Sequence, residues 1–259
     1  MTRTGAMELI DFSNLARHST FSEHAEKADA YFRPFPFGCK LLHKPFMSNV
    51  EAAEICAGLG VLIPQLHLFA GTRVLDFGAG TCWLSRILAL LGCEVTALDV
   101  SPSALQLGRR LIETDPLAAN MRVQFVKLES ERLPFDDATF DRVVCFDALH
   151  HVPDQAGVIS EFARVLVPGG IAAFHEPGPH HSRAAQSQHE MRVHGVIEGD
   201  IDLPALEVAA RRAGFDGCQV ALFGPAPQML EPTQYEAFVE DGRSDTDIER
   251  ETLQQVRAA

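Results

Sequence analysis

Histidines and carboxylates stand at several points of this chain where they could move a proton near neutral pH. His150 and His151 are adjacent, and His175 is followed directly by Glu176. Imidazole is the side chain whose ordinary pKa falls in the working range, and a nearby carboxylate can orient the ring or stabilise its cation. Upstream, Asp76 and Asp99 each end a short apolar run, and Asp76 is followed by Gly78 and Gly80. Glycine tolerates positive φ and lets backbone come close to a ligand at a helix N-terminus. A carboxylate just before such a turn repels a pyrophosphate but holds a cationic amino group. Trp83 occupies the place where a dinucleotide fingerprint has its third glycine, which argues against NAD or FAD.

The elements that must position these groups follow from periodicity. Arg73–Phe77 is a β-rich run, and after the glycines Leu84, Ile87, Leu88 and Leu91 repeat at helical spacing until Gly92. A second run, Glu94–Leu98, ends at Asp99, with Ser101-Pro102 as N-cap and first helical residue. Further strands are expected at Val123–Lys127, Asp141–Phe146, Gly170–His175 and Cys218–Phe223. A helix at Asp154–Leu166 buries Val158, Phe162 and Val165 and ends at Pro168-Gly169; another begins at Asp202 and Pro204 and closes at Gly214. Strands alternating with helices imply an α/β fold: a doubly wound, Rossmann-like, mostly parallel sheet with ligands beyond the carboxyl ends of its strands.

Taken in order, Asp76-Phe77-Gly78-Ala79-Gly80, Leu133-Pro134-Phe135, Leu149-His150-His151 and Leu166-Val167-Pro168-Gly169-Gly170 resemble the class I S-adenosylmethionine-dependent methyltransferases, in the branch acting on small molecules. The resemblance covers roughly residues 73–223. It implies S-adenosylmethionine as cofactor, with Asp76 and the backbone of Gly78 and Gly80 near its methionine end, Asp99 on the ribose hydroxyls, Glu129 and the Ser130 N–H beside the adenine, and Asp147 near the sulfonium. Glu129 departs from the aspartate usual there. His151 or His150 is then the expected base, with Glu176 orienting it. The reaction is an in-line methyl displacement, in which positioning of acceptor and methyl supplies much of the rate.

A polar cluster continues through His175, Glu176, His180, His181, His189, Glu190, His194, Glu198 and Asp200. It contains no tight ligand motif such as H-E-x-x-H, so no metal ligand is assigned and the stretch is read as an acceptor-binding loop. With Ser182, Arg183 and Gln186-Ser187-Gln188 it suits a polyhydroxylated acceptor. O-methylation of a sugar or glycosylated metabolite is therefore the first expectation. C-methylation of a quinone or aromatic acceptor, in a pocket lined by Phe32, Phe35 and Phe37, is the alternative, and a non-catalytic cofactor-binding module is the third.

A net charge of -13 disfavours nucleic acid as a partner, and six cysteines without C-x-x-C spacing fit reduced thiols of a cytoplasmic protein. No apolar segment reads as a membrane anchor or targeting signal. Residues 1–48 are expected to form a helical or loop lid without clean period, the stretch Tyr31-Phe32-Arg33-Pro34-Phe35-Pro36-Phe37 carrying aromatic rings on a proline-broken backbone. Ser48 and Glu51 read as a capping box for the helix before the first strand. Residues 49–224 form the expected cofactor domain and residues 225–259 an acidic, partly helical tail. The seventh, antiparallel strand usual in the family has no counterpart in that tail, so the sheet is either cut short or completed by a partner chain. The sequence leaves the oligomeric state open.

Overall fold

The structure is a computed structural model that describes residues 9–221, and the folded unit lies within Met1–Cys218. Among the described residues five strands form one parallel sheet: β1 (Arg73–Phe77), β2 (Glu94–Asp99), β3 (Arg122–Lys127), β4 (Phe140–Phe146) and β5 (Leu166–His175), in the order β3-β2-β1-β4-β5. β1 lies at the centre, with Val74 opposite Val95 on one side and Arg142 on the other. Side chains alternate across a strand, and both faces of β1 are apolar, as a sheet covered on two sides requires. Leu75 and Phe77 pack with Phe162 and Val165 of α6 (Gln155–Val165). Val74 packs on the opposite face with Leu84 and Leu88 of α4 (Trp83–Leu90) and Leu59 and Leu62 of α3 (Asn49–Gln65). Asp76 shares the face of Val74 and is carried toward α4.

The helix ends follow local chemistry. α5 (Pro102–Glu113) starts at Ser101, whose Oγ accepts from the Ala104 N–H, and α8 (Leu203–Ala213) runs from Asp202 to Gly214 in the left-handed region. Ser48 caps α3 by accepting from the Glu51 N–H; Glu51 answers through the Ser48 hydroxyl rather than the backbone.

Three expectations change. Residues 9–44 are more regular than their composition suggests: α1 (Phe12–His18) and α2 (Phe21–Phe32) are helical, α2 being set by a full capping box between Thr20 and Glu23 and stopped just before Pro34. The loop character begins only where proline removes the helical hydrogen bond. Second, α6 passes straight into β5 at Leu166, because Leu166 pairs with Phe140, and Pro168-Gly169-Gly170 form an irregularity inside the strand pairing rather than the loop before it. Third, the expected strand Cys218–Phe223 is not formed over residues 218–221, and its remainder lies outside the described residues, as do the acidic tail and the first eight residues. Among the described residues no helix is long and apolar enough to cross a membrane.

Candidate functional site

The chemistry-bearing residues gather at the carboxyl ends of β1, β2 and β4. Gly78 (φ +69°) and Gly80 (φ +51°) make the turn after β1, but they do different things. A Cβ on Gly78 would lie 2.4 Å from the Ala148 Cβ, so this glycine lets the segment after β4 close on the turn. A Cβ on Gly80 would meet nothing nearer than the Phe32 ring at 3.9 Å, so Gly80 faces open space that an aromatic side chain of α2 covers. The N–H groups of Gly78 and Ala79 donate to the Leu98 carbonyl, and that of Gly80 donates to Asp99 Oδ2 at 2.8 Å. The turn thus has its donors satisfied internally, unlike a phosphate-binding loop.

Asp76 is buried, and its carboxylate accepts from the Ser85 hydroxyl at 2.5 Å, in the first turn of α4. Burial pushes its pKa up to about 7; the Ser85 hydrogen bond resists and the Asp99 charge adds to the rise. Asp99 is buried too, and burial raises it despite N–H donation from Ser101 and Gly80. Two buried carboxylates, with no cation among the strongest influences on either, suit a cationic ligand. Each Asp99 oxygen accepts one such bond, which leaves lone pairs for hydroxyl donors. These features fit S-adenosylmethionine at the acid residues and at Gly80. Glu129 and Ser130 are exposed after β3; Glu129 lies 3.3 Å from Lys127 and the Ser130 hydroxyl donates to the Arg132 carbonyl.

Asp147, in the left-handed region after β4, accepts from His175 Nδ1 at 2.9 Å and lies 3.5 Å from Lys44 Nζ. Burial opposes its ionisation, but these neighbours hold its pKa below the usual range. His175 stacks flat on Phe146, with ring centroids 4.0 Å apart. Lys44 carries no signal in the sequence, yet its ammonium sits 5.2 Å from the ring centre of Trp83, the residue that replaces a third glycine. Asp29 is likewise missed. It accepts from the Ser101 hydroxyl and the Ser103 N–H, both at 2.9 Å, and from Arg33 at 2.9 Å, so it fixes α2 against the start of α5.

Glu176 does not face the crevice. Its Oε1 accepts from the Ala148 and Leu149 N–H groups at 2.9 and 2.8 Å, and its Oε2 lies 2.7 Å from His150 Nδ1. It caps the short 3-10 turn at Leu149–His151 and fixes the His150 ring, which makes it a positioning residue. His150 is buried. His151 Nδ1 donates to the Ile197 carbonyl at 2.6 Å, so in the neutral ring Nε2 is left with its lone pair. Burial pushes the His151 pKa down to about 4, with the His150 ring adding and Glu198 opposing. Its side chain is 36% exposed, so solvent tempers that fall, but the ring is neutral at pH 7 either way.

The later polar cluster divides. His181 Nε2 lies 2.8 Å from Glu198 Oε2, and Asp200 accepts from the Ser182 N–H and hydroxyl. His180 and His189 are exposed, and His194 meets the Tyr31 ring edge-on at 5.3 Å. Tyr31 also packs edge-on against Phe32 and Phe35, whereas Phe37 pairs with Arg110. A cavity of about 500 Å³ lined by Arg73, Glu94, Thr96, Arg122 and Phe140 opens at the amino ends of the strands, the end of a parallel sheet that does not receive ligands.

A doubly wound sheet in the order 3-2-1-4-5, with acids ending β1 and β2 around a glycine turn, defines a nucleotide-type ligand-binding α/β protein. Residues 75–174 match the family described as a methyltransferase domain. Over 101 residues the chain is 43% identical to a demethylmenaquinone methyltransferase of Clavibacter sepedonicus, covering 39% of this chain and 39% of that one. Over 102 residues it is 40% identical to a ubiquinone biosynthesis O-methyltransferase of Xanthomonas oryzae pv. oryzae, covering 39% and 41%. A methyltransferase-like crystal structure from Bacillus halodurans superposes with a TM-score of 0.50 at 25% identity, over 61% of this chain and 68% of that one. The match therefore spans about two-fifths of the length of these curated relatives. Over residues 75–174 the chain is thus similar to a methyltransferase domain, carried on the doubly wound sheet described above.

Proposed function

We propose that the protein transfers a methyl group from S-adenosylmethionine to a small aromatic, quinone-type acceptor. The observation that carries this reading is the Phe32 ring over the Gly80 turn, continued by Tyr31 packed edge-on against Phe32 and Phe35, an aromatic surface that suits a flat ring. The names of the two curated relatives support it, since both refer to quinone biosynthesis intermediates or products. The sugar acceptor expected from the polar cluster finds no such support. Its Ser182, Gln188 and Asp200 are engaged in holding the loop, Gln188 bonding to the Ser182 carbonyl and to both backbone groups of Ile10.

S-adenosylmethionine, when bound, supplies an electrophilic methyl group on a sulfonium. Asp76 and Asp99 hold the cationic cofactor, and Phe32 excludes water above Gly80. His151, neutral and with Nε2 free to accept, takes the proton released by a ring hydroxyl or ring carbon of the acceptor. Glu176 keeps the 3-10 turn and His150 in place behind it. Production of S-adenosylhomocysteine would be followed over reduced quinones, simple phenols and sugars, with cofactor affinity measured by calorimetry. Turnover confined to the aromatic set supports the reading. Turnover on sugars alone, or cofactor binding without turnover on any acceptor, overturns it.

A further inference from the structure

Three groups from separate parts of the chain meet beside the proposed base: His150 from the turn after β4, His181 from the 3-10 turn at His181–Arg183, and Glu198 from the segment after α7 (Ala185–His194). Their ligand atoms all lie within 4.8 Å of one another. Glu198 Oε2 is 2.8 Å from His181 Nε2 and 3.8 Å from His150 Nε2. Donors around a tetrahedral zinc at about 2.0–2.1 Å stand roughly 3.3 Å apart, between those two distances.

Glu176 holds His150 through Nδ1, which turns Nε2 toward the Glu198 carboxylate. The two groups meet in a buried place, His150 being 5% and Glu198 7% exposed. We propose that His150, His181 and Glu198 bind one divalent first-row transition ion of the zinc type.

The surroundings are those of a built site. The His150–Glu176 pair supplies the carboxylate behind a ligating imidazole that fixes its tautomer. Glu176 is itself held by two backbone N–H groups, the Gly199 N–H donates to the His150 carbonyl at 2.9 Å, and Asp200 anchors Ser182 next to His181. Two imidazoles and one carboxylate select a borderline ion such as zinc or ferrous iron over magnesium or calcium. Three protein ligands leave a position open, as in catalytic rather than structural sites. On the methyl-transfer reading, an ion there acidifies an acceptor hydroxyl beside His151; binding of the ion itself does not rest on that reading.

The test uses the full chain, stripped with chelator and titrated with zinc against a chromophoric competitor, with bound metal counted by mass spectrometry. One ion per chain is expected, with affinity reduced more than about 100-fold in His181→Ala and Glu198→Gln, beyond what a supporting partner alone contributes. The exposed His189→Ala variant is expected to bind as the wild type does. Cobalt in place of zinc should give visible absorption that Glu198→Gln abolishes, which decides the matter if His181→Ala fails to fold. Absence of retained zinc in the wild type, or equal binding by the variants, overturns the proposal and leaves a protonated His181–Glu198 pair. Calorimetry with S-adenosylmethionine on the metal-free chain reads the methyltransferase assignment separately, so failure of one is distinguishable from failure of the other.

Discussion

Replacing Asp76 by asparagine isolates the charge beneath the glycine turn. The buried carboxyl rises from its ordinary 3.8 to about 7, which at about 1.4 kcal/mol per pH unit makes ionised Asp76 unfavourable by about 4 kcal/mol in the unliganded protein. The folded chain therefore keeps a proton that the unfolded chain releases between about pH 4 and 7, and stability from the neutral form is lost as pH rises through that window. Asparagine keeps an acceptor for the Ser85 hydroxyl and never ionises. The variant should gain on the wild type by about 2 to 3 kcal/mol between pH 5 and pH 8.5. In urea this is a relative midpoint shift on the order of 1 M, read by unfolding both proteins at both pH values. Other titrating groups cancel in the difference. Binding of S-adenosylmethionine at pH 8 should weaken by more than about tenfold, because the negative charge that offsets the bound cation is gone. A stability difference that is the same at both pH values would refute the reasoning, since it would mean that Asp76 ionises freely in the folded protein.

His151→Gln should lower kcat by about 10²–10³ with cofactor affinity unchanged, measured by S-adenosylhomocysteine release. Glu176→Gln presents an amide group to the N–H donors of Ala148 and Leu149 and should cost about 2–4 kcal/mol by chemical unfolding, with kcat reduced through a displaced His150. Gly78→Ala combines a positive φ with a 2.4 Å approach to Ala148, and should destabilise by at least about 2 kcal/mol in a thermal melt. For Asp29, burial works against ionisation, yet the Ser103 N–H, Arg33 and Ser101 hold its pKa down at about 2. Its contribution is present above about pH 4 and lost as pH falls toward 2, so Asp29→Asn should cost about 1–2 kcal/mol at pH 7 and progressively less in acid.

The central strands were legible because a parallel strand buried on both faces is written as a continuous apolar run, and Arg73–Phe77 is bounded as expected. The helix starts at Ser101 and Asp202 and the stop at Gly214 were legible for the same local reason, since capping is decided within four residues. The helices before Pro34 were obscured by the proline-aromatic stretch that follows them. β5 begins early because Leu166 finds Phe140 across the sheet, a partner 26 residues away that no local pattern announces. The site divides the same way. Asp76, Asp99 and the glycines belong to one short stretch, whereas the meeting of His150 with His181 and Glu198 depends on how residues 176–200 fold back over β4. Glu176 was legible as the carboxylate that orients a histidine, and it does lie against His150, but its hydrogen bonds to the N–H groups of the turn 27 residues upstream leave no mark in the sequence. Lys44 and Asp29 were missed because the partners that bring them to the site, Asp147 and Ser101, lie far along the chain.

The segment that matches the methyltransferase family runs from residue 75 to 174 and stops one residue short of His175. Asp76, Gly80 and Asp99 fall inside it. Tyr31, Phe32, His181 and Glu198 fall outside. On the proposed reading, donor and acceptor are then served by different parts of the chain: the matched piece by holding the methyl donor, the flanking pieces by shaping the acceptor side. If that reading holds, two chains alike throughout the matched segment can modify different molecules, and transplanting residues 175–200 together with the aromatic helix is expected to move acceptor choice while leaving the donor in place.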